Sequence, residues 1–370
     1  METSIQLEEY LSNGVEHIVR GILEASVRHP KAGLFMAKYA LCSKKAGQKR
    51  QSAELRGEHI PPFLIASITN KCNLHCKGCY ARANHSCTDS CAQNGADGLL
   101  TAENWGRIFT QAAELGIEFI LLAGGEPFVR RDILQQAGFR RDILFPIFTN
   151  GTMMNAENME ILDQHRNLMP VISIEGNEKT TDARRGEGVY QKLEETMADL
   201  KQKDILFGAS VTVTKQNIQE VLSEAFVEKL RNAGAKAIIY VEYVPVNGST
   251  QALAPDEQTR LELMDRLNEL RQEASDMILI AFPGDEKTSG GCLAAGRGFF
   301  HINAHGGAEP CPFSPYSDTN VMDCTLKEAL SSPLFRRLQS DGSLTKEHIG
   351  GCVLFEQQDQ VKAMLKEPTA

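Results

Sequence analysis

The sequence predicts an α/β protein: a partial (β/α)6 barrel, preceded by a helical segment and followed by a small cysteine-bearing unit. Two patterns and one positional coincidence predict it. Between residues 60 and 250, six short apolar runs alternate with longer amphipathic ones. Those runs are apolar throughout, as are the strands of a parallel sheet covered by helices on both faces. The residues of chemical interest directly follow the runs, where the loops of such a barrel gather an active site.

The elements follow in order. Near the start, Val15, Ile18, Val19, Ile22 and Leu23 recur at helical spacing and mark one buried stripe. "PKAGLFMAKYALCSKK" repeats the pattern, and "KKAGQKRQ" reads as a polar, basic connector. The strands are "FLIASIT" (63–69), "IEFILLA" (117–123), "ILFPIFT" (143–149), "PVISIE" (170–175), "ILFGASVTV" (205–213) and "AKAIIYVEYV" (235–244). Helices are expected between them. "TAENWGRIFTQAAELG" closes on Gly116 and "TKQNIQEVLSEAFVEKLRNAG" on Gly234, each a suitable C-cap. A further helix, "PDEQTRLELMDRLNELRQEA", leads through "MILIAF" to the Gly-rich "PGDEKTSGG", which sets a domain boundary near 285. The division is therefore a helical segment at 1–60, a TIM-like barrel core at 61–284 and a C-terminal domain at 285–370.

A chain of 370 residues suffices for two or three domains. Its net charge of -9 argues against nucleic acid as a partner, since phosphate binding calls for a basic surface. No apolar run approaches the roughly 20 residues of a membrane span. The N-terminus "METSIQLEEY" is acidic and unlike a secretory signal, so a cytoplasmic protein is expected.

Ten cysteines are the compositional oddity: five fall between 72 and 91, and four lie after 291. Without an export signal they read as metal ligands or reactive thiols rather than disulfides, in two separate sites. "KCNLHCKGCY" places Cys72, Cys76 and Cys79 close together, one ligand short of the usual four. A zinc site completed by Cys87 is one reading. A [4Fe–4S] cube on three cysteines, with one iron left open, is the other. In "ANHSCTDSCAQNGADG", Cys87 and Cys91 otherwise read as spare thiols of a solvated loop.

Cys72-x3-Cys76-x2-Cys79, followed by the aromatic Tyr80, resembles the motif of radical S-adenosylmethionine (radical SAM) enzymes. "GGEP" (124–127) after the second strand and the six-unit βα rhythm extend the resemblance over roughly residues 60–250. The resemblance implies that the open iron chelates the amino and carboxylate groups of S-adenosylmethionine. Reductive cleavage then gives a 5′-deoxyadenosyl radical that takes a hydrogen atom from the substrate. It further implies that Gly124 and Gly125 let the backbone approach the methionine moiety, that Glu126 accepts from its ammonium or from the adjacent backbone, and that Pro127 stiffens the turn. Tyr80, Ser173 and Glu175 become candidates for adenine or ribose contacts, with Ser210 and Thr212 behind them. An electron donor such as flavodoxin or ferredoxin is implied as a partner.

In the second group, Cys292-x13-Gly306-x4-Cys311 spans a hairpin-like turn at Gly306–Gly307, and Cys352 follows at a distance. This resembles the SPASM or shorter twitch extension of radical SAM enzymes, which holds auxiliary [4Fe–4S] clusters. No Cys-x2-Cys-x5-Cys-x3-Cys block is present, so one auxiliary cluster on Cys292, Cys311 and Cys352 is expected, with Cys324 a possible fourth ligand. A structural zinc site is the alternative for this region. The resemblance favours oxidation or cross-linking of a peptide; modification of a small molecule such as a tetrapyrrole precursor is the second reading. A non-catalytic zinc or iron–sulfur scaffold or redox sensor is the alternative from another class. Tyr243, Glu242 and Cys324 are possible partners for a substrate radical.

Overall fold

The structure, a computed structural model, describes residues 19–20, 30–89, 98–246, 248–285, 291–345 and 352–366. The expected helix over 14–27, apart from Val19 and Arg20, lies outside the described residues, as do Cys91, most of the Gly-rich joint and the end of the tail.

Among the described residues, nine strands form one sheet. The barrel strands are β1 (Phe63–Thr69), β4 (Phe119–Gly124), β5 (Phe145–Thr149), β6 (Leu168–Ser173), β7 (Gly208–Val213) and β8 (Ala237–Glu242). They pair in parallel and match the six expected runs. Two edges extend the sheet beyond six. β9 (Ile278–Phe282) continues parallel beside β8. At the other edge β10 (Phe299–Ile302) pairs in parallel with β1, and β11 (Ala308–Glu309) folds back antiparallel on β10. The expected hairpin thus forms, and it is hydrogen-bonded directly to the barrel. A separate two-stranded pair joins β2 (Lys71–Cys72) to β3 (Thr88–Asp89).

Side-chain alternation shows which face is the lumen. Phe63, Phe119, Phe148, Met169, Ile239 and Ile278 gather with Met36 and Tyr39 of the helix Pro30–Glu54. Most of these lie early in their strands, so that helix closes the lumen at its N-terminal end. Phe282 and Phe299, from strands near opposite edges, approach with ring centroids 5.7 Å apart across it. Following the same face upward brings Ser67, Ser173, Ser210, Thr212 and Val241 to the lumen, all half-buried, while their strand neighbours are buried against the helices. The lumen is therefore closed below, and its polar upper part opens at the C-terminal ends of the strands.

The helices end as their caps dictate. Thr101 forms a capping box with Asn104, and Gly116 ends the helix Ala102–Leu115 in a left-handed conformation, as Gly234 ends Glu224–Ala233. "KKAGQKRQ" departs from the connector expected: it continues the helix Pro30–Glu54. Arg50, 1% exposed, explains the difference, because its guanidinium donates to Gly116 O at 2.8 Å and to Glu118 Oε1 at 2.6 Å. A charge that reads as solvent-facing in sequence is satisfied by a buried partner 68 residues away.

Candidate active site

The cysteine loop leaves β1 at the mouth. Its entry is clamped to "GGEP" at the end of β4 by two backbone bonds, Gly125 N to Thr69 O at 2.9 Å and Glu126 N to Lys71 O at 2.8 Å. The two glycines permit this approach. A Cβ on Gly124 would stand 2.2 Å from Thr69 O, and one on Gly125 would stand 2.0 Å from Lys71 O. The glycines thus seat the segment that delivers Cys72. Pro127 starts the short helix Pro127–Val129, and Glu126 is turned inward. Its buried carboxylate accepts from Thr149 Oγ1, Asn150 N and Phe128 N. Burial pushes that carboxyl up to about 7 despite the three donors.

Cys72, Cys76 and Cys79 are all half-buried on one loop. The loop turns through Cys79 N to Cys76 O at 3.2 Å, and Arg82 pins it by donating to Leu74 O at 2.8 Å. Two other strand ends reach the thiols. Asn150, after β5, places Nδ2 4.0 Å from Cys72 Sγ. Arg185, after β6, places Nη1 3.9 Å from Cys76 Sγ. Burial raises the Cys76 thiol. Cys87 is buried rather than solvated. Its thiol hydrogen-bonds to Cys72, which lowers Cys72 and raises Cys87.

Glu175 is 2% exposed and lies in a fork formed by Arg185, with Nε at 2.5 Å and Nη2 at 2.6 Å, while Arg184 Nε stands 3.4 Å away. Ser173 lies just below it on the lumen face. Tyr80 takes another direction: its ring packs on Phe313 at 4.9 Å, beside the C-terminal cysteine region, and burial raises its hydroxyl. Glu242 is held behind the barrel wall by Arg260 at 2.6 Å, so it does not face the lumen.

The sequence pattern does not single out Arg184 or Arg185, whereas Asn150 lies in the "TNG" (149–151) that directly follows the third run. It also passes over a polar row on the lumen side of β1, β10 and β11. There His301 Nε2 stands 2.7 Å from Ser67 Oγ, and His301 Nδ1 stands 2.7 Å from Glu309 Oε2. Asn303 donates to the other carboxylate oxygen at 2.5 Å. A carboxylate at Nδ1 holds the proton on that nitrogen and leaves Nε2 to accept from the serine hydroxyl.

The C-terminal cysteines approach one another through a shared turn. Cys292 N donates to Leu344 O at 2.8 Å, and Cys352 begins the helix Val353–Glu356, which packs on the turn Ser343–Thr345. Ala295 N donates to Pro310 O at 3.1 Å and so brings the Cys292 loop to Cys311. Cys324 lies elsewhere, in a cavity of about 280 Å³ lined by Arg107, Gln111 and Glu328.

Among the described residues, no three Cys, His, Asp or Glu side chains converge on one point as a single metal ion requires. A cubane makes a different demand, since each thiolate takes its own iron. Three soft thiolates spread round one half-buried loop, with polar strand ends beside them, fit such a cluster and a zwitterionic ligand. Residues 66–227 match the Radical SAM superfamily. The chain thus carries a Radical SAM superfamily domain and is an enzyme. It is 25% identical to the AdoMet-dependent heme synthase of Methanosarcina barkeri, over 76% of this chain and 86% of that one. It is also 25% identical to the sporulation killing factor maturation protein SkfB of Bacillus subtilis, over 84% and 75%. Its fold is shared with Streptococcus suis SuiB bound to S-adenosylmethionine (TM-score 0.66, 19% identity, 83% and 77% covered). The same holds for SuiB bound to the precursor peptide SuiA (TM-score 0.63, 19% identity, 80% and 71% covered). No described helix of the chain is long and apolar enough to cross a membrane.

Proposed function

We propose that the chain uses a [4Fe–4S] cluster on Cys72, Cys76 and Cys79 to cleave S-adenosylmethionine reductively and to oxidise or cross-link a peptide in its lumen. The observation that carries this is the three-thiol loop set over an open, polar lumen that is closed at its far end. When bound, cluster and cofactor supply the one-electron chemistry that ends in hydrogen-atom abstraction from the substrate. The chain's own residues do the rest. Gly124–Pro127 seat the loop, with Glu126 engaged by Phe128, Thr149 and Asn150, and Ser173 and Glu175 offer acceptors for the cofactor's ammonium and ribose. Tyr80 extends the loop toward the C-terminal domain. Within the lumen, Ser67 Oγ faces the substrate and can pass a proton to His301 Nε2, whose imidazolium Glu309 would stabilise.

The finer proposal divides the chain into a core at 61–284 and a C-terminal domain at 285–370 that holds one auxiliary cluster on Cys292, Cys311 and Cys352. Placement in the cytoplasm and a flavodoxin- or ferredoxin-type donor complete it. The SuiB complex with a precursor peptide supports the peptide reading. The similarity to a heme synthase supports a tetrapyrrole as the second.

Anaerobic reconstitution tests the proposal. About eight irons per chain and release of 5′-deoxyadenosine are expected from two cubane clusters. Replacing Cys72, Cys76 and Cys79 by Ala should abolish the release, whereas replacing Cys292, Cys311 and Cys352 should halve the iron and leave some release. Bound zinc with no 5′-deoxyadenosine would overturn the reading.

A further inference from the structure

Gly78 is the residue between the second and third loop cysteines that carries no side chain, and what occupies that space comes from across the mouth. Its φ is +69°, and a Cβ there would stand 2.4 Å from the hydroxyl of Tyr243 and 2.9 Å from its ring. Tyr243 directly follows β8, whereas the loop follows β1, and four strands separate the two in the sheet. The ring therefore reaches across the barrel opening to the Cys76–Cys79 turn.

Two further side-chain contacts fix it there. Tyr243 is 3% exposed, and its hydroxyl donates to Thr250 Oγ1 at 2.7 Å in the turn Gly248–Leu253. That turn is anchored at the mouth by Lys215 N donating to Leu253 O at 3.0 Å, just beyond the end of β7. The Arg184 guanidinium lies 5.6 Å from the Tyr243 ring centroid. The carbonyl of the same Arg184 accepts from Lys77 N at 2.7 Å, one residue before Gly78. The turn is thus gripped on one side by a backbone bond to Arg184 and covered on the other by an aromatic ring that Arg184 also contacts.

We propose that Tyr243 is a positioning residue that holds the Cys76–Cys79 turn in the conformation that receives S-adenosylmethionine, and that Gly78 is glycine because its φ is positive and the Tyr243 ring fills its side-chain space. The inference rests on the radical SAM reading of this loop. It links the Gly248–Leu253 turn over the mouth to the cofactor loop through one side chain. Loss of the ring leaves the three thiols in place but frees the turn between two of them. The effect therefore falls on cofactor binding more than on iron uptake.

The test uses the full chain, reconstituted anaerobically, with S-adenosylmethionine as the probe. Iron per chain, the Kd for the probe and the electron paramagnetic resonance spectrum of the reduced cluster with and without it are read. Tyr243→Phe keeps the ring and should bind within about twofold of wild type. Tyr243→Ala should load iron normally, bind about tenfold more weakly and lose the spectral shift that the probe induces. Gly78→Ala should load less iron, because the new methyl meets the ring and is strained at φ +69°, and adding Tyr243→Ala to it should restore part of the loading. Tyr243→Ala with wild-type Kd and spectrum, or a double variant no better loaded than Gly78→Ala, overturns the inference. A wild-type chain that binds no probe overturns the cofactor reading and this inference with it.

Discussion

The carboxyl of Glu126 is 1% exposed and accepts three hydrogen bonds, from Thr149 Oγ1 at 2.8 Å, Asn150 N at 2.8 Å and Phe128 N at 3.1 Å. Two effects compete there. Burial disfavours the charged form, and the donors favour it. Burial is the larger and holds the carboxyl near 7, against 4.5 for an unconstrained glutamate. Between those values the folded chain binds more protons than the unfolded one, so stability falls as pH rises. The contribution is fully present below about pH 4.5 and is lost as pH passes about 7, a total of about 3 kcal/mol. Glu126→Gln removes the titration while keeping the shape. Urea unfolding of metal-free wild type and variant across that range, plotted as a difference, is the assay. The amide's own hydrogen-bonding cost shifts the whole difference and leaves its slope unchanged. The stability of wild type relative to the variant should drop by about 3 kcal/mol over the interval and then level off. A flat or rising difference would mean that the three donors outweigh burial, and the argument would be wrong.

Other outcomes follow from the same geometry. Arg50→Ala strands the buried Glu118 carboxylate and should cost about 3–5 kcal/mol in denaturant unfolding, much of it recovered by adding Glu118→Gln; a cost below about 1 kcal/mol would contradict the buried pair. Gly125→Ala drives a methyl into the Lys71 carbonyl, where backbone must move. A loss of about 1–3 kcal/mol or more is expected, together with poorer iron loading, and full retention of both would refute the clamp between "GGEP" and the loop. His301→Gln should lower product formation while 5′-deoxyadenosine release persists, because the radical is still made but the lumen has lost its proton acceptor. Equal loss of both would place His301 in the fold rather than the chemistry.

The parts of the site that share one stretch of chain were legible beforehand. Cys72, Cys76 and Cys79 stand out by their spacing, and "GGEP" by two adjacent glycines directly after the second apolar run. The βα rhythm was legible because parallel strands must be apolar on both faces. Arg50 was misread because a cation in a polar run has the same appearance whether it meets water or a buried carboxylate. Cys87 was misread for a related reason: whether its thiol meets solvent or Cys72 depends on the β2–β3 pairing, and two-residue strands leave no periodicity to read. The lumen face of each strand was likewise hidden, since a run such as "FLIASIT" does not say which of its residues point inward.

By itself, then, the sequence determined the class of fold, the three-cysteine loop and the end of the barrel at which that loop sits. Those properties depend on residues close in the chain and on periodicities that local physics enforces. Only the tertiary structure decided that Arg185 meets Glu175 and Cys76, that Ser67, His301 and Glu309 form one row, and that Tyr243 covers Gly78. Cys76 and Arg185 are 109 residues apart and Ser67 and His301 are 234 apart, and they meet because a curved parallel sheet gathers its strand ends at one mouth, with β10 added beside β1.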